Sequence, residues 1–483
     1  MLGGNSAGKS SILQALLMLR QSWESGPAAV IELRPAGRLV TLGRFGNIAH
    51  RHRNVPVEIG ISWDEGEKSA DFTWEADYLL NATGDIDENR LPEAGTLTAC
   101  TLRGRNGTIL LGGAQVTNDR ARQIEIPFLE IAPPNSEAEQ ASPLVAGWRA
   151  FADKERRSAI PVIRLDPSEN TRRIERGSVP TVEQIIEAEK RAGRLSTVQA
   201  AETLGTELKQ ARESWTQSHA ALLSEDSPFV AALTREIDDL FFGSAKKFAN
   251  LRYIGPTRVP GQRIYARDSS TDDEVGSRGE RLGDILFRFP DREEAINNML
   301  QSMRVPYQVI NRPLLTLDAL VELFLLDTRP HGATVGVPDV GFGVSQLLPI
   351  LAEWAAVLGG TKPQTLLVEQ PELHLHPDWQ VELLRLFSEP LRRSAPQAGS
   401  ANPQAILETH SEYLVLAAQQ LVREGVLDPE NVTLLAVNVE NGVTCVQRIR
   451  MAGDGEFMDP WPDGFFPQRD NLLYGEWLER MRW

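Results

Sequence analysis

Cysteine is nearly absent: Cys100 and Cys445 are the only two in 483 residues, far apart in the chain. That excludes a disulfide framework and a thiolate zinc site. Net positive charge is lacking as well, the balance being −16. A chain coated in positive potential for nucleic acid is therefore excluded, although a local basic track is not. The candidate tracks are His50-Arg51-His52-Arg53, Arg172-Arg173-Ile174-Glu175-Arg176 and Lys246-Lys247, each read as a solvated surface cluster. No run approaches ~18 uncharged apolar residues, which excludes a transmembrane span. There is no basic-then-apolar leader, no sustained heptad series and no internal repeat. A cytoplasmic location is expected. What remains, 41% hydrophobic and 24% charged residues, is ordinary globular composition with length for two or three domains.

Against that background the opening stands out. Residues 3–10 read GGNSAGKS, a G-x-x-x-x-G-K-S phosphate-binding loop. Its glycines, Gly3 and Gly8 among them, let backbone N–H groups of the loop (Asn5 and Ser11 included) close on a polyphosphate. Lys9 reaches the β- and γ-phosphates, and the Ser10 hydroxyl ligates Mg²⁺. The run SSILQALLMLRQ follows with apolar residues at helical spacing, so the loop opens a helix whose dipole favours an anion. Such a loop is normally launched from a buried strand. Only Met1 and Leu2 precede Gly3, and the first strand of the sheet is expected to be missing, with translation starting further upstream.

Residues 29–131 alternate in strand fashion (VIELRP, RLVTL, VPVEIGISW, ADFTWEADYLL, LTACTLRG, IEIPFLEIAP). Residues 132–250 read as loop and then helical insert, with VEQIIEAEKRAG and STVQAAETLGTELKQARESW. From 251 onward strands alternate with helices, which around a phosphate loop implies a largely parallel, doubly wound α/β sheet. The expected divisions are 1–131, an N-terminal ATPase lobe; 132–250, the insert; 251–453, a C-terminal ATPase lobe; and 454–483, a tail.

Three further motifs fall in that lobe. In TLLVEQPELHLHP an apolar strand ends in Glu369, where P-loop enzymes place a Mg²⁺-holding acid. In ILETHSEYL a second strand leads to His410, placed to sense a γ-phosphate. In VGFGVSQLLPIL, Gly341 and Gly343 precede an apolar helix, a second phosphate-binding type of N-terminus. His374 and His376 lack an evident third metal ligand and read as a turn.

Together these motifs resemble the ABC-type ATPases of the RecF/SMC and OLD (overcoming lysogenization defect) groups. The resemblance is closer still to small prokaryotic AAA-labelled ATPases with a C-terminal domain of unknown function, on YIGPTR (253–258), VGSRGE (275–280), GFGVSQLLPIL, VEQPELHLHP, ETHSEYL and WPDGFF (461–466). The resemblance implies an ABC-type head that forms a head-to-tail homodimer around two ATPs. Lys9 and Ser10 would be the Walker A pair, Glu369 the Walker B acid and His410 the switch histidine. Gly341, Gly343 and Ser345 of the second subunit would stand at the signature. Where the resemblance calls for a catalytic Glu, this chain has Gln370, an amide that orients water but takes no proton; Glu372 is the nearest substitute base.

The expected function is a Mg²⁺-dependent ATPase whose ATP-gated dimerisation controls DNA or an effector protein encoded nearby, in DNA repair or phage defence. The alternative is an ATP-binding switch that hydrolyses slowly or not at all. No membrane partner is expected, because the segment between loop and signature is far longer than transporter motors carry. The stretch after His410 is too short for a Toprim nuclease, so any nuclease belongs to another chain.

Overall fold

The computed structural model describes residues 1–4, 6–24, 32–48, 55–63, 68–76, 95–103, 109–113, 115–116, 124–127, 161–166, 171–176, 228, 231, 248, 250–268, 270–314, 319–360, 364–391, 403–462, 465–466 and 472. It divides into two compact units, Met1–Leu16 with Asn250–Trp483, and Leu17–Ala249.

The chain starts with β1 (Leu2–Gly3) and α1 (Lys9–Glu24). The unit of residues 17–249 then carries β2 (Glu32–Leu33), a short helix α2 (Phe45–Ile48), β3 (Val57–Trp63), β4 (Lys68–Ala76), β5 (Gly95–Arg103), β6 (Ile109–Gly113), β7 (Gln115–Val116), β8 (Ile124–Pro127), β9 (Pro161–Asp166) and β10 (Thr171–Arg176). They form two antiparallel sheets, ordered β2-β5-β4-β3 with β6 beside β5, and β10-β9-β8-β7. On β4 the alternating Ala70, Phe72 and Trp74 are all buried, the period-two pattern of a half-buried strand. Trp23 meets Phe72 and Phe248 edge-on in the same core. The β-rich reading of 29–131 matches these strands. The segment read as loop and helix differs at 161–176, where β9 and β10 pair as a hairpin from Pro161↔Arg176 to Asp166↔Thr171. β10 (TRRIER) is polar and Arg-rich and has one apolar residue, Ile174, so the hairpin partner of β9 carries no apolar alternation. The helical stretches expected over 180–250, and the His50–Arg53 and Lys246-Lys247 tracks, lie outside the described residues.

The other unit continues with β11 (Leu251–Ile254), β12 (Ile264–Ala266), α3 (Leu282–Arg288), α4 (Pro290–Ser302), β13 (Tyr307–Pro313), β14 (Leu320–Asp327), β15 (Thr334–Gly336) and α5 (Phe342–Gly359). It closes with β16 (Thr365–Glu369), α6 (Pro377–Ser388), β17 (Gln404–Glu408), α7 (Glu412–Arg423), β18 (Leu434–Glu440) and β19 (Val443–Ile449). β11, β16 and β17 pair in parallel, as do β1 and β18, while β19 turns back antiparallel on β18. Met1 joins the two ladders. Its amino group donates to the Leu407 carbonyl at 2.7 Å, and the Thr409 N–H donates to its carbonyl at 3.0 Å. The order is thus β11-β16-β17-β1-β18-β19. The strand expected before the phosphate loop is present only as Leu2–Gly3, two residues long and paired with β18.

α5 is apolar all round, and Val344 through Val357 are buried on every face, as suits a core helix. It is long and apolar enough to cross a membrane, but most of it lies inside this core. Its one carboxylate, Glu353, is 1% exposed and pairs with Arg252 at 2.6 Å. Trp354 packs edge-on against Phe387 of α6. β14 buries Val321, Leu323 and Leu325 on one face, the two leucines against the same core. α7 is followed by Gly425 with φ +69°, the left-handed glycine that commonly stops a helix. Trp461, Phe465 and Phe466 pack on the core of α7 and β18: Trp461 meets Phe457 edge-on at 5.3 Å, and Phe465 lies tilted against Phe457 at 5.2 Å.

Candidate functional site

Four strand ends meet at the site: those of β1, β16 and β17, and of β11 through the loop after it. Gly3 ends β1 against β18 so closely that a Cβ there would lie 1.9 Å from the Val437 carbonyl oxygen. Gly8 has φ +97°, and a Cβ would come 2.6 Å from the Thr444 hydroxyl, which itself donates to the Ala7 carbonyl at 3.0 Å. Both motif glycines are thus required by the close approach of β18 and β19. α1 then begins at Lys9. Lys9 is 4% exposed, and its ammonium donates to the Gly3 and Gly4 carbonyls at 3.1 and 2.8 Å. The cation thus bridges two carbonyls of its own loop. Burial lowers its pKa, and Glu408 and Glu372 oppose that shift. Ser11 is exposed one residue on, and Asn5 lies outside the described residues.

The Ser10 hydroxyl donates to Glu408 Oε1 at 2.9 Å. Glu408 ends β17 just as Glu369 ends β16, and the two are register partners. Both are buried, at 2% and 4% exposure. Burial raises the Glu369 pKa, Glu408 raises it further, and the hydrogen bonds from Tyr253 and Ser10 pull it down. Tyr253 of β11 donates to Glu369 Oε1 at 2.7 Å. The second oxygen of Glu408 is buried without a partner.

Beyond Glu369 the chain turns sharply. Gln370 takes φ +47°, its N–H donates to the Glu408 carbonyl at 2.7 Å, and its carbonyl accepts from the Leu373 N–H at 3.1 Å. Glu372 Oε1 accepts the His410 backbone N–H at 2.7 Å, while its Oε2 is buried and unpartnered. His410 is exposed. Partial burial of the ring, and then Lys9, lower its pKa. Ser411, next in the chain, caps α7 by accepting from the Leu414 N–H. His376 caps α6 in the same way, accepting from the Asp378 N–H at 3.3 Å, so HLHP is a turn and a helix cap, as read. The described residues include no cluster of three or more metal-ligating side chains.

The glycine motif stands apart. Gly341 caps α5 with nothing within 4 Å of a Cβ placed on it. Gly343 is held by the turn after β16, where a Cβ would meet the His374 carbonyl at 2.6 Å. Ser345 is buried, and its hydroxyl donates to the Phe342 carbonyl at 2.8 Å, so it offers no free hydroxyl. Among the described residues no hydrogen bond connects these three to the loop.

The structure therefore gathers Lys9, Ser10, Glu369, Gln370, Glu372 and His410, and leaves Gly341, Gly343 and the buried Ser345 elsewhere in the same unit. The sequence reading did not single out Glu408, Tyr253 or Arg258. Glu408 was legible, since ILE repeats the pattern of LVE, an apolar strand ending in an acid. Arg258 donates to the Glu369 and Gln370 carbonyls at 2.7 and 3.0 Å. It follows β11 in the YIGPTR stretch, which is pinned to VGSRGE by bonds from the Gly255 and Val259 N–H groups to the Ser277 and Arg278 carbonyls.

A family model described as "AAA domain, putative AbiEii toxin, Type IV TA system" matches residues 155–417, more than half of the chain. The chain belongs to this family. The match takes in α5, the acidic strand ends and His410 of this AAA-type chain; the loop at 3–10 lies outside it. With that loop and its sheet, the fold is that of a P-loop NTPase. Similar solved structures include an Smc head bound to the C-winged helix domain of ScpA (11% identity, 93% of this chain and 89% of that one, TM-score 0.33). Another is an Smc head with an extended coiled coil bound to the C-terminal domain of ScpA, from Pyrococcus furiosus (11% identity, 100% and 92%, TM-score 0.31). A third is an SMC head domain from Thermotoga maritima (13% identity, 37% and 58%, TM-score 0.24). No curated protein matches the chain.

Proposed function

We propose that this AAA-type chain binds ATP with Mg²⁺ in the Gly3–Ser10 loop and hydrolyses it, and that the nucleotide controls its pairing with a second copy. One observation carries this reading: the Ser10 hydroxyl, directly after the loop lysine, is bonded to one member of a buried acid pair. The donor set fits Mg²⁺, being hard oxygens with one buried carboxylate oxygen of Glu408 unspent. Ser10, Glu408 and Glu369 would hold the ion, and phosphate and water would complete its shell. When bound, the ion neutralises charge developing on the phosphate oxygens.

The chain's own residues supply the rest. Lys9 exchanges the Gly3 and Gly4 carbonyls for phosphate oxygens. Gln370, at the tip of its turn, orients water, and Glu372 takes the proton from it. His410 donates toward the γ-phosphate. Gly341 and the 57% exposed Phe342 give the second copy an open helix end to present across the interface.

A slow switch is the second reading, favoured by one observation: Glu372 already spends one oxygen on the His410 N–H. In either case the output is control of an effector protein or of DNA, in defence or repair. The family description, a toxin of a Type IV system, fits the defence branch.

The test is calorimetric titration of the full chain with ATP, with and without Mg²⁺, followed by phosphate release and by sedimentation with a non-hydrolysable analogue. Absence of Mg²⁺-dependent binding refutes the site. Binding without phosphate release selects the switch. A monomer under saturating analogue refutes the gating.

A further inference from the structure

Arg258 is an arginine that its surroundings do not explain as an ordinary ion pair. It is 4% exposed, and among the described residues it makes no ion pair. A single terminal nitrogen serves two successive backbone carbonyls, those of Glu369 and Gln370, while Nε and the other terminal nitrogen are buried with no partner. A guanidinium stripped of water costs free energy unless its neighbours need it. Burial pushes its pKa down to about 10, against the pull of Glu372, Tyr253 and Glu369. What it grips is the point where an extended strand gives way to a left-handed, non-glycine residue. That conformation persists only where surroundings over-determine it. The same stretch brings Tyr253 to the Glu369 carboxylate, so one segment holds both the side chain and the backbone of the acidic strand end.

We propose that Arg258 is a positioning residue, a clasp that holds the Gln370–Leu373 turn in its left-handed form and so aims Gln370 and Glu372 at the attacking water. The kinetic half of this rests on the ATPase reading; the structural half does not. The guanidinium touches no reacting atom, and its effect passes through the two carbonyls. Without it, the Gln370 N–H bond to Glu408 and the Leu373 N–H bond to Gln370 have no third anchor.

Two measurements on the full chain decide it. The first is amide hydrogen exchange without nucleotide. In Arg258→Met, exchange at Gln370 and Leu373 rises about 10-fold, the factor one lost hydrogen bond supplies, while β16 and α6 stay at the wild-type rate. Arg258→Lys, a point cation that serves one carbonyl well rather than two, gives a local rise of about 3-fold, and decides the matter if the methionine variant does not fold. Wild-type exchange at the turn, or a rise spread evenly over the sheet, overturns the clasp. The second is steady-state turnover. Arg258→Met lowers kcat by about 10- to 100-fold with ATP affinity unchanged, the scale of a misplaced reacting group. In a Gln370→Ala, Glu372→Gln background the same change has no further effect, because the groups it aims are gone. An undiminished kcat, or the same loss in that background, refutes the positioning role. Should the wild-type chain itself release no phosphate, the hydrolysis reading fails, and hydrogen exchange still judges the clasp.

Discussion

Replacing Glu408 by glutamine removes one negative charge from the buried acid pair and keeps an acceptor for the Ser10 hydroxyl. Adjacent parallel strands lie ~4.8 Å apart, and at that spacing two full charges repel by roughly 3 kcal/mol at an effective dielectric near 20. Glu408→Gln relieves that repulsion but also removes an attraction to Lys9, which feels Glu408 more strongly than Glu372. The two effects oppose, so Tm of the nucleotide-free chain should move little. The loaded site should suffer. A charge-assisted contact contributes about 1.5–3 kcal/mol, which is a loss of about 10- to 150-fold in Mg²⁺-dependent ATP affinity. The pH dependence gives an independent sign. Glu369 holds its proton to higher pH than a free carboxylate because of burial and Glu408. Ligation needs the ionised form, so wild-type Mg²⁺·ATP affinity falls as pH drops through that raised pKa. In Glu408→Gln the raising neighbour is gone, and the fall moves to lower pH. Calorimetric titration from pH 5 to 8 reads both effects. Wild-type affinity with an unshifted acid limb would show that Glu408 plays no part in the cation site.

Lys9→Ala should abolish measurable ATP binding, and calorimetric affinity equal to wild type would remove the phosphate loop from the site. Glu372→Gln should cut phosphate release by about 10²–10⁴ with ATP affinity intact, the range of a general base; an unchanged rate would leave Gln370 and His410 only to position water. Gln370→Gly should relieve a left-handed backbone costing about 1–2 kcal/mol and raise Tm in a thermal melt, while slowing turnover; a lower Tm would contradict the strain. Gly3→Ala should destabilise the chain or displace β1, because its Cβ would meet the Val437 carbonyl, and a wild-type melt would mean that this close approach is not maintained.

The sequence made the phosphate loop, Glu369, His410 and the alternating β/α order readable, because each rests on local pattern: a glycine spacing, an apolar run ending in an acid, a helical period. β14 and α5 were legible for the same reason. What could not be read is what the sheet brings together. Ser10 and Glu408 are 398 residues apart, and no local signal ties a hydroxyl to an acid over that distance. Arg258 resembles any surface arginine until the loop after β11 carries it under the end of β16. β10 was missed because TRRIER has one apolar residue and no apolar alternation, and β9 with it because PVIRLD, only six residues long, then lacked a recognisable partner. The central β1 was missed because a strand of two residues has no period at all; Met1 is held there by the neighbouring strands rather than by its own propensity.

The seat of β1 also sets a schedule. Its partners are Leu407 and Thr409 on one side and Ala436 and Val437 on the other. A ribosome adding about 5–20 residues per second makes the phosphate loop first and its last partner roughly 20–90 seconds later. For that interval the GGNSAGKS segment has neither the backbone that fixes Gly3 nor the acid that holds Ser10. Nucleotide binding therefore arrives late in synthesis, as a property of the finished sheet, and a chain cut short before β18 should carry the complete motif yet bind no ATP.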